Sequence, residues 1–212
     1  MMKKKLFIGV YNPSIILTYI SVFCSIIGIA NLMKSETIAS FDYMRVAIPL
    51  LIVAGVCDMF DGTVARMCKR TQIEKDFGVQ LDSLADTVSF VVFPACMLTH
   101  MGNYSIASMI IACAYVFAGI MRLGWFNVTV EENKGFFQGL PVTLASVIVP
   151  AAYVVLTFFG VTGFAFELAM YITFALIAIL FILNFRLNKP NTKMRIVLAI
   201  IALAIITMLF FI

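Results

Sequence analysis

The chain has 212 residues, of which 63% are hydrophobic and 12% charged, with a mean hydropathy of +1.06 and a formal net charge of +4. That balance excludes a soluble globular protein and places the chain among polytopic membrane proteins. It also excludes nucleic acid as a partner, because the 15 Lys and Arg residues fall in short clusters between apolar runs rather than in one basic tract.

Residues 1–12 mix Lys3, Lys4 and Lys5 with Leu6, Phe7, Ile8, Val10 and Tyr11, the pattern of an amphipathic juxtamembrane segment on an anionic membrane surface. A long apolar run without a small-residue cleavage site follows, so a retained first membrane helix is expected rather than a signal peptide. Pro13 suits a first helical turn, and the first span is predicted over 14–33. Further spans are predicted over 44–66, from Phe77 onward, and over 104–127, 140–159 and 163–185. A terminal run, 196–212, has 17 residues, enough to span if its basic flank of Arg186, Lys189, Lys193 and Arg195 snorkels. The fold class is therefore all-α: a polytopic membrane helix bundle of six core transmembrane helices, a seventh, and the N-terminal segment. No repeat of roughly 20–50 residues is visible, so a single membrane domain over 1–212 is expected, with its core at 14–185.

This helix count gives a topology. With the N-terminus in the cytoplasm, all Lys and Arg except Lys34 and Arg45 fall on the inner side, thirteen of the fifteen. A cell-membrane protein is expected, its N-terminus and the acidic hairpin described next on the cytoplasmic side.

Four aspartates interrupt the apolar pattern: Asp58 and Asp61 at i,i+3 near the end of the second span, and Asp82 and Asp86 at i,i+4 early in the third. Each spacing puts a pair on one helix face, and a hairpin would bring both pairs to one depth, roughly 7–9 Å inside the same membrane face. At roughly 2.5–3.5 kcal/mol per buried charge, four unpaired aspartates would cost about 10 kcal/mol. One arginine, Arg66, cannot cancel them. Divalent cations could, and an all-oxygen donor set suits Mg²⁺, Mn²⁺ or Ca²⁺. The five cysteines are odd in number and lack a CxxC pair, which reads as buried thiols. His100 and Glu167 read as headgroup-level polar residues. Intramembrane aspartates also mark cation carriers, although a carrier would place its site near the midplane between repeated halves.

The ordered set Asp58-x-x-Asp61-Gly62-x-x-Ala65-Arg66, then Gly78-x-x-x-Asp82-x-x-x-Asp86 after 11 residues, resembles the signature of CDP-alcohol phosphotransferases. These membrane enzymes use CDP-linked lipids or alcohols. The stretch from Gly78 to Phe90 is similar to the branch that joins L-serine to CDP-diacylglycerol, releasing phosphatidylserine and CMP. The resemblance implies two divalent cations held by Asp58, Asp61, Asp82 and Asp86, with Asp86 also accepting the proton of the acceptor hydroxyl. It places Gly62, Ala65, Arg66 and Gly78 beside the nucleotide and its phosphates, the small residues allowing close approach. Asn12 and Thr18 resemble an N-terminal pattern near the nucleotide. Arg122, in Arg122-Leu123-Gly124-Trp125-Phe126-Asn127, and the segment Phe137-Gln138-Gly139-Leu140-Pro141 resemble stretches that follow the fourth helix. Arg122 would meet serine's carboxylate or a lipid phosphate, with topology marking as the rival role. The partners implied are CDP-diacylglycerol, L-serine, membrane lipids and a second copy in a homodimer. Synthesis of phosphatidylglycerol phosphate, an inositol lipid or archaetidylserine stays open as the alternative.

Overall fold

The computed structural model describes residues 9–11, 13–34, 42–129, 135–188 and 191–211. Most of the juxtamembrane segment, including Lys3, Lys4 and Lys5, lies outside the described residues, as do Asn12, Lys134 and Lys189. Backbone groups in lipid have no water to bond, so long apolar runs close their hydrogen bonds within helices. The helices are α1 (Ile16–Leu32, entered through a 3-10 turn at Pro13–Ile15), α2 (Met44–Met67), α3 (Gln72–Asp86), α4 (Phe93–Met101) and α5 (Ile106–Thr129). They continue with α6 (Ala145–Phe158), α7 (Gly163–Ile182) and α8 (Thr192–Phe211). Among the described residues six helical segments are long and apolar enough to cross a membrane: Pro13–Leu32, Met44–Met67, Gln72–Met101, Ile106–Thr129, Gly163–Ile182 and Lys193–Phe211. A shorter apolar helix, Val142–Phe158, stands with them, so the chain is a multi-pass membrane bundle as expected.

Three boundaries differ from the sequence expectation. The third span begins at Gln72, five residues before Phe77, because Thr71 and Glu74 form a capping box: Glu74 N–H donates to Thr71 Oγ1 at 3.3 Å, and Thr71 N–H donates to Glu74 Oε2 at 2.8 Å. The short member of the bundle is the fifth span rather than the last. Residues 139–144 are spent on a turn at Gly139, on Pro141 and on a 3-10 turn, which delays α6 to Ala145. The last helix starts before Ile196, at Thr192, where Met194 N–H donates to Asn191 Oδ1 at 2.9 Å.

A two-stranded antiparallel ribbon was not expected: β1 (Phe136–Gln138) pairs with β2 (Arg186–Asn188), Phe137 opposite Leu187. Gly139 joins it to α7. Its φ is +70°, its N–H donates to Phe185 O at 2.8 Å, and an added Cβ would lie 2.8 Å from the Phe181 carbonyl oxygen. Only glycine suits that backbone and that space. At the other end of the bundle Asp42 ties α2 to α6, accepting from Met44 N–H at 3.0 Å and from the Tyr153 hydroxyl at 3.2 Å.

Between α3 and α4 the rod does not break but widens, with a π-helical segment over Thr87–Val92. Pro94 has no N–H to offer the Phe90 carbonyl at the ordinary α spacing. The buried Tyr115 hydroxyl on α5 fills that role, donating to Phe90 O at 2.7 Å. Tyr115 also packs edgewise on Phe174 of α7, ring centroids 5.1 Å apart. Ser21 of α1 donates to Ser89 within the widened turn at 3.1 Å, and an added Cβ on Gly28 would overlap the Phe93 ring, so α1 and α4 meet closely. Tyr115→Phe keeps the packing and removes the hydroxyl bond to the buried Phe90 carbonyl. It is expected to destabilise the detergent-solubilised protein by about 1–3 kcal/mol, measured by thermal or denaturant unfolding against the wild type.

Candidate active site

The α2 and α3 helices are joined by residues 68–71 alone, and their acidic faces meet in antiparallel register. Asp58 on α2 lies beside Asp86 on α3, and Asp61 beside Asp82. One carboxylate oxygen from each of Asp58, Asp82 and Asp86 lies within 4.8 Å of the others. Asp61 sits beside this trio and accepts from the Thr18 hydroxyl of α1 at 3.3 Å. The hairpin foreseen from the two spacings therefore forms, and the aspartates converge.

Such proximity is unfavourable unless something compensates it. Two unit negative charges 4.8 Å apart repel by about 3 kcal/mol at an effective dielectric near 20. Among the described residues no lysine or arginine forms an ion pair with the four aspartates; Arg45 pairs with Asp42 instead, at 3.5 Å. Converging carboxylate oxygens with no nitrogen or sulfur donor make a hard-cation site, and the residues present fit Mg²⁺, Mn²⁺ or Ca²⁺.

A cavity of about 300 Å³ opens beside the carboxylates, lined in part by Asp61, Gly62, Ala65, Arg66, Gly78 and Asp82. Thus the small and basic residues singled out from the motif share one space with two of its aspartates. Thr18 lines it as well; Asn12 lies outside the described residues. Arg66 is anchored within α2, donating from Nη2 to Thr63 Oγ1 at 3.0 Å. Sequence reasoning missed Ser14, Arg70 and Lys75, which line the same cavity. Arg70 and Lys75 entered the sequence reading only as inner-side charges in the topology count. The capping signature Thr71-x-x-Glu74 would have fixed where the connection after α2 ends and how it turns back over the site.

Arg122 is not a lining residue of this cavity. It is 5% exposed on α5, with its guanidinium 5.3 Å from the Phe126 ring centroid and its Nε without a hydrogen-bond partner. Phe126 in turn tilts against Phe137 of the ribbon, 5.9 Å between centroids. One turn beyond, Asn127 accepts from Ser83 at 2.9 Å, tying α5 to the acidic helix between Asp82 and Asp86. Trp125 Nε1 donates to Gln138 Oε1 at 2.8 Å, fastening the same end of α5 to β1.

Residues 11–212 match the family described as CDP-alcohol phosphatidyltransferase. The chain belongs to that family. Relatives of this CDP-alcohol phosphatidyltransferase chain include the archaetidylserine synthase of Methanothermobacter thermautotrophicus, 32% identical over 149 residues, or 70% of this chain and 59% of the relative. The CDP-diacylglycerol–serine O-phosphatidyltransferase of Saccharomyces cerevisiae is 37% identical over 49% of this chain and 40% of its own length. The protein of that name from Bacillus subtilis is 36% identical over 45% of this chain and 54% of its own. The chain spans about half the length of the curated relatives it matches.

The carboxylate trio has a direct consequence for metal binding. Asp82→Asn is expected to weaken Mn²⁺ binding by at least the roughly 10–100-fold that disturbing a ligand's supporting partner costs. Asp42→Asn, at the far end of the bundle, should leave it unchanged; both are read by calorimetric or EPR titration of the purified protein.

Proposed function

We propose that the chain transfers the phosphatidyl group of a CDP-linked lipid to the hydroxyl of L-serine, releasing CMP. The observation that carries this reading is the convergence of Asp58, Asp82 and Asp86 beside a cavity lined by Gly62, Ala65, Arg66 and Gly78. The serine acceptor is supported by the names of the relatives, which share it while differing between archaeal and diacyl donors. The donor is CDP-diacylglycerol in this reading, with the archaeal ether lipid as the second candidate, favoured by the relative that matches the larger share of the chain.

Asp58, Asp61, Asp82 and Asp86 would hold two divalent cations, which when bound neutralise charge on phosphate oxygens. The cavity walls take the nucleotide, Gly62 and Ala65 leaving room along α2, and the Arg66 guanidinium faces its phosphates. Asp86, deepest of the acids on α3, accepts the proton of the serine hydroxyl. The serine oxygen forms a new bond to the lipid-linked phosphorus as the bond from phosphorus to the CMP oxygen breaks. Arg122, buried with an unpaired Nε, is suited to a carboxylate or phosphate. The site faces the cytoplasm on the charge distribution, and the working unit is a homodimer with one site per protomer.

Asp86→Asn is expected to lower turnover by the ~10²–10⁴-fold typical of losing a general base, while CMP still binds; unimpaired synthesis would exclude Asp86 as the base. Product identification by mass decides the acceptor. The purified chain given CDP-diacylglycerol and a panel of serine, glycerol 3-phosphate and inositol should yield phosphatidylserine alone, and a product made only from another alcohol would overturn the serine assignment. Stripping divalent ions with a chelator should abolish turnover, and restoring Mg²⁺ or Mn²⁺ should return it.

A further inference from the structure

The two glycines of the acidic motif share an unusual neighbour. A Cβ added to Gly62 would meet one atom within 4 Å, Arg66 Nη1 at 3.6 Å; a Cβ added to Gly78 would meet one atom, Arg70 Nη1 at 3.4 Å. Each glycine is a flat seat on which a guanidinium rests, one on α2 and one on α3. Gly78 also lines the cavity beside the carboxylates, the space the sequence reading gave to the nucleotide.

Arg70 stands on a fixed stretch of backbone. It immediately precedes Thr71, whose capping box with Glu74 fixes the backbone at the start of α3. Its Nε is shielded from solvent and has no hydrogen-bond partner among the described residues. A shielded donor without an acceptor is costly unless a ligand supplies one. Arg70 lines the same cavity as Arg66, Lys75, Asp61 and Asp82, so its fork of donors meets the space where an anion would stand against the acidic site.

Building on the CDP-lipid reading, we propose that Arg70, seated on Gly78, is a second phosphate-binding arginine of this cavity, gripping the phosphate of a cytidine nucleotide from the α3 side as Arg66 does from α2. The planar fork makes two parallel bonds to a phosphate, which a lysine cannot reproduce. A small residue is needed at position 78, because a side chain larger than alanine's would push the guanidinium off its seat.

The test is calorimetric titration of the full chain in detergent, with Mg²⁺ present, using CMP and the phosphate-free nucleoside cytidine. Arg70→Gln should weaken CMP binding about tenfold or more and leave cytidine binding unchanged, and Arg70→Lys should recover only part of the loss. Gly78→Ala should stay near wild type, since a methyl at 3.4 Å makes ordinary contact. Gly78→Leu should reproduce Arg70→Gln, and adding it to Arg70→Gln should do nothing more. Unchanged CMP affinity in Arg70→Gln, an equal loss for cytidine, or additive effects of the two changes would overturn the proposal. The untouched protein is titrated first: its failure to bind CMP would defeat the CDP-lipid reading, and this inference with it, before any variant is made.

Discussion

Four carboxylates held together among apolar helices are the constraint to which the rest of this molecule answers. Asp58, Asp61, Asp82 and Asp86 come from two helices joined by a four-residue connection, 68–71, and their mutual contact is the antiparallel register of those helices. Neighbouring structure supports that register without neutralising it: Thr18 donates to Asp61 from α1, and Ser83 holds α3 to Asn127 of α5. Both are hydroxyl bonds, the first holding a carboxylate directly and the second holding the helix that carries two of them, and neither brings a countercharge. The surrounding chain supplies orientation, and among the described residues no lysine or arginine forms an ion pair with the cluster.

The basic residues are near, but to one side. Arg66, Arg70 and Lys75 line the adjoining cavity together with Asp61 and Asp82, so negative and positive walls face a common space. A ligand carrying both a phosphate and a need for metal fits between them, and a simple ion on its way across the membrane has no use for the cationic wall. That arrangement favours phosphoryl transfer over a cation carrier. The membrane family to which the chain belongs, CDP-alcohol phosphatidyltransferase, is consistent with it.

Much of this was readable in the linear chain for physical reasons. The i,i+3 and i,i+4 spacings of the aspartates are enough to put each pair on one face, and unbroken apolar runs are enough to make spanning helices. What escaped reading had weaker or more distant signals. The start of α3 at Gln72 was signalled by Thr71 and Glu74, a local cue that apolar patterning overlooks because the first turns of α3 are polar. The ribbon could not be read, since β1 and β2 have three residues each and lie some fifty residues apart in the chain. Arg70 was invisible as a cavity residue because its significance comes from where the turn before α3 puts it, and charge counting marks it only as one more basic residue on one side of the bundle. Gly78 was singled out for the nucleotide, and the contact a Cβ would make there, Arg70 Nη1 at 3.4 Å, comes from a residue eight positions earlier that no local pattern points to.

The widened turn over Thr87–Val92 sets the rotational phase of a long rod. Its acidic half carries Asp82 and Asp86, and its other half carries Phe93, lodged against Gly28 of α1. Each residue added to or taken from a helix turns everything beyond it by about 100°. The two halves are thus indexed to different neighbours by a single local irregularity, like two keys cut on one shaft. A lineage that lost one residue from this turn would have to re-cut one half or the other, so length here should drift far less than the identity of the lipid-facing side chains around it.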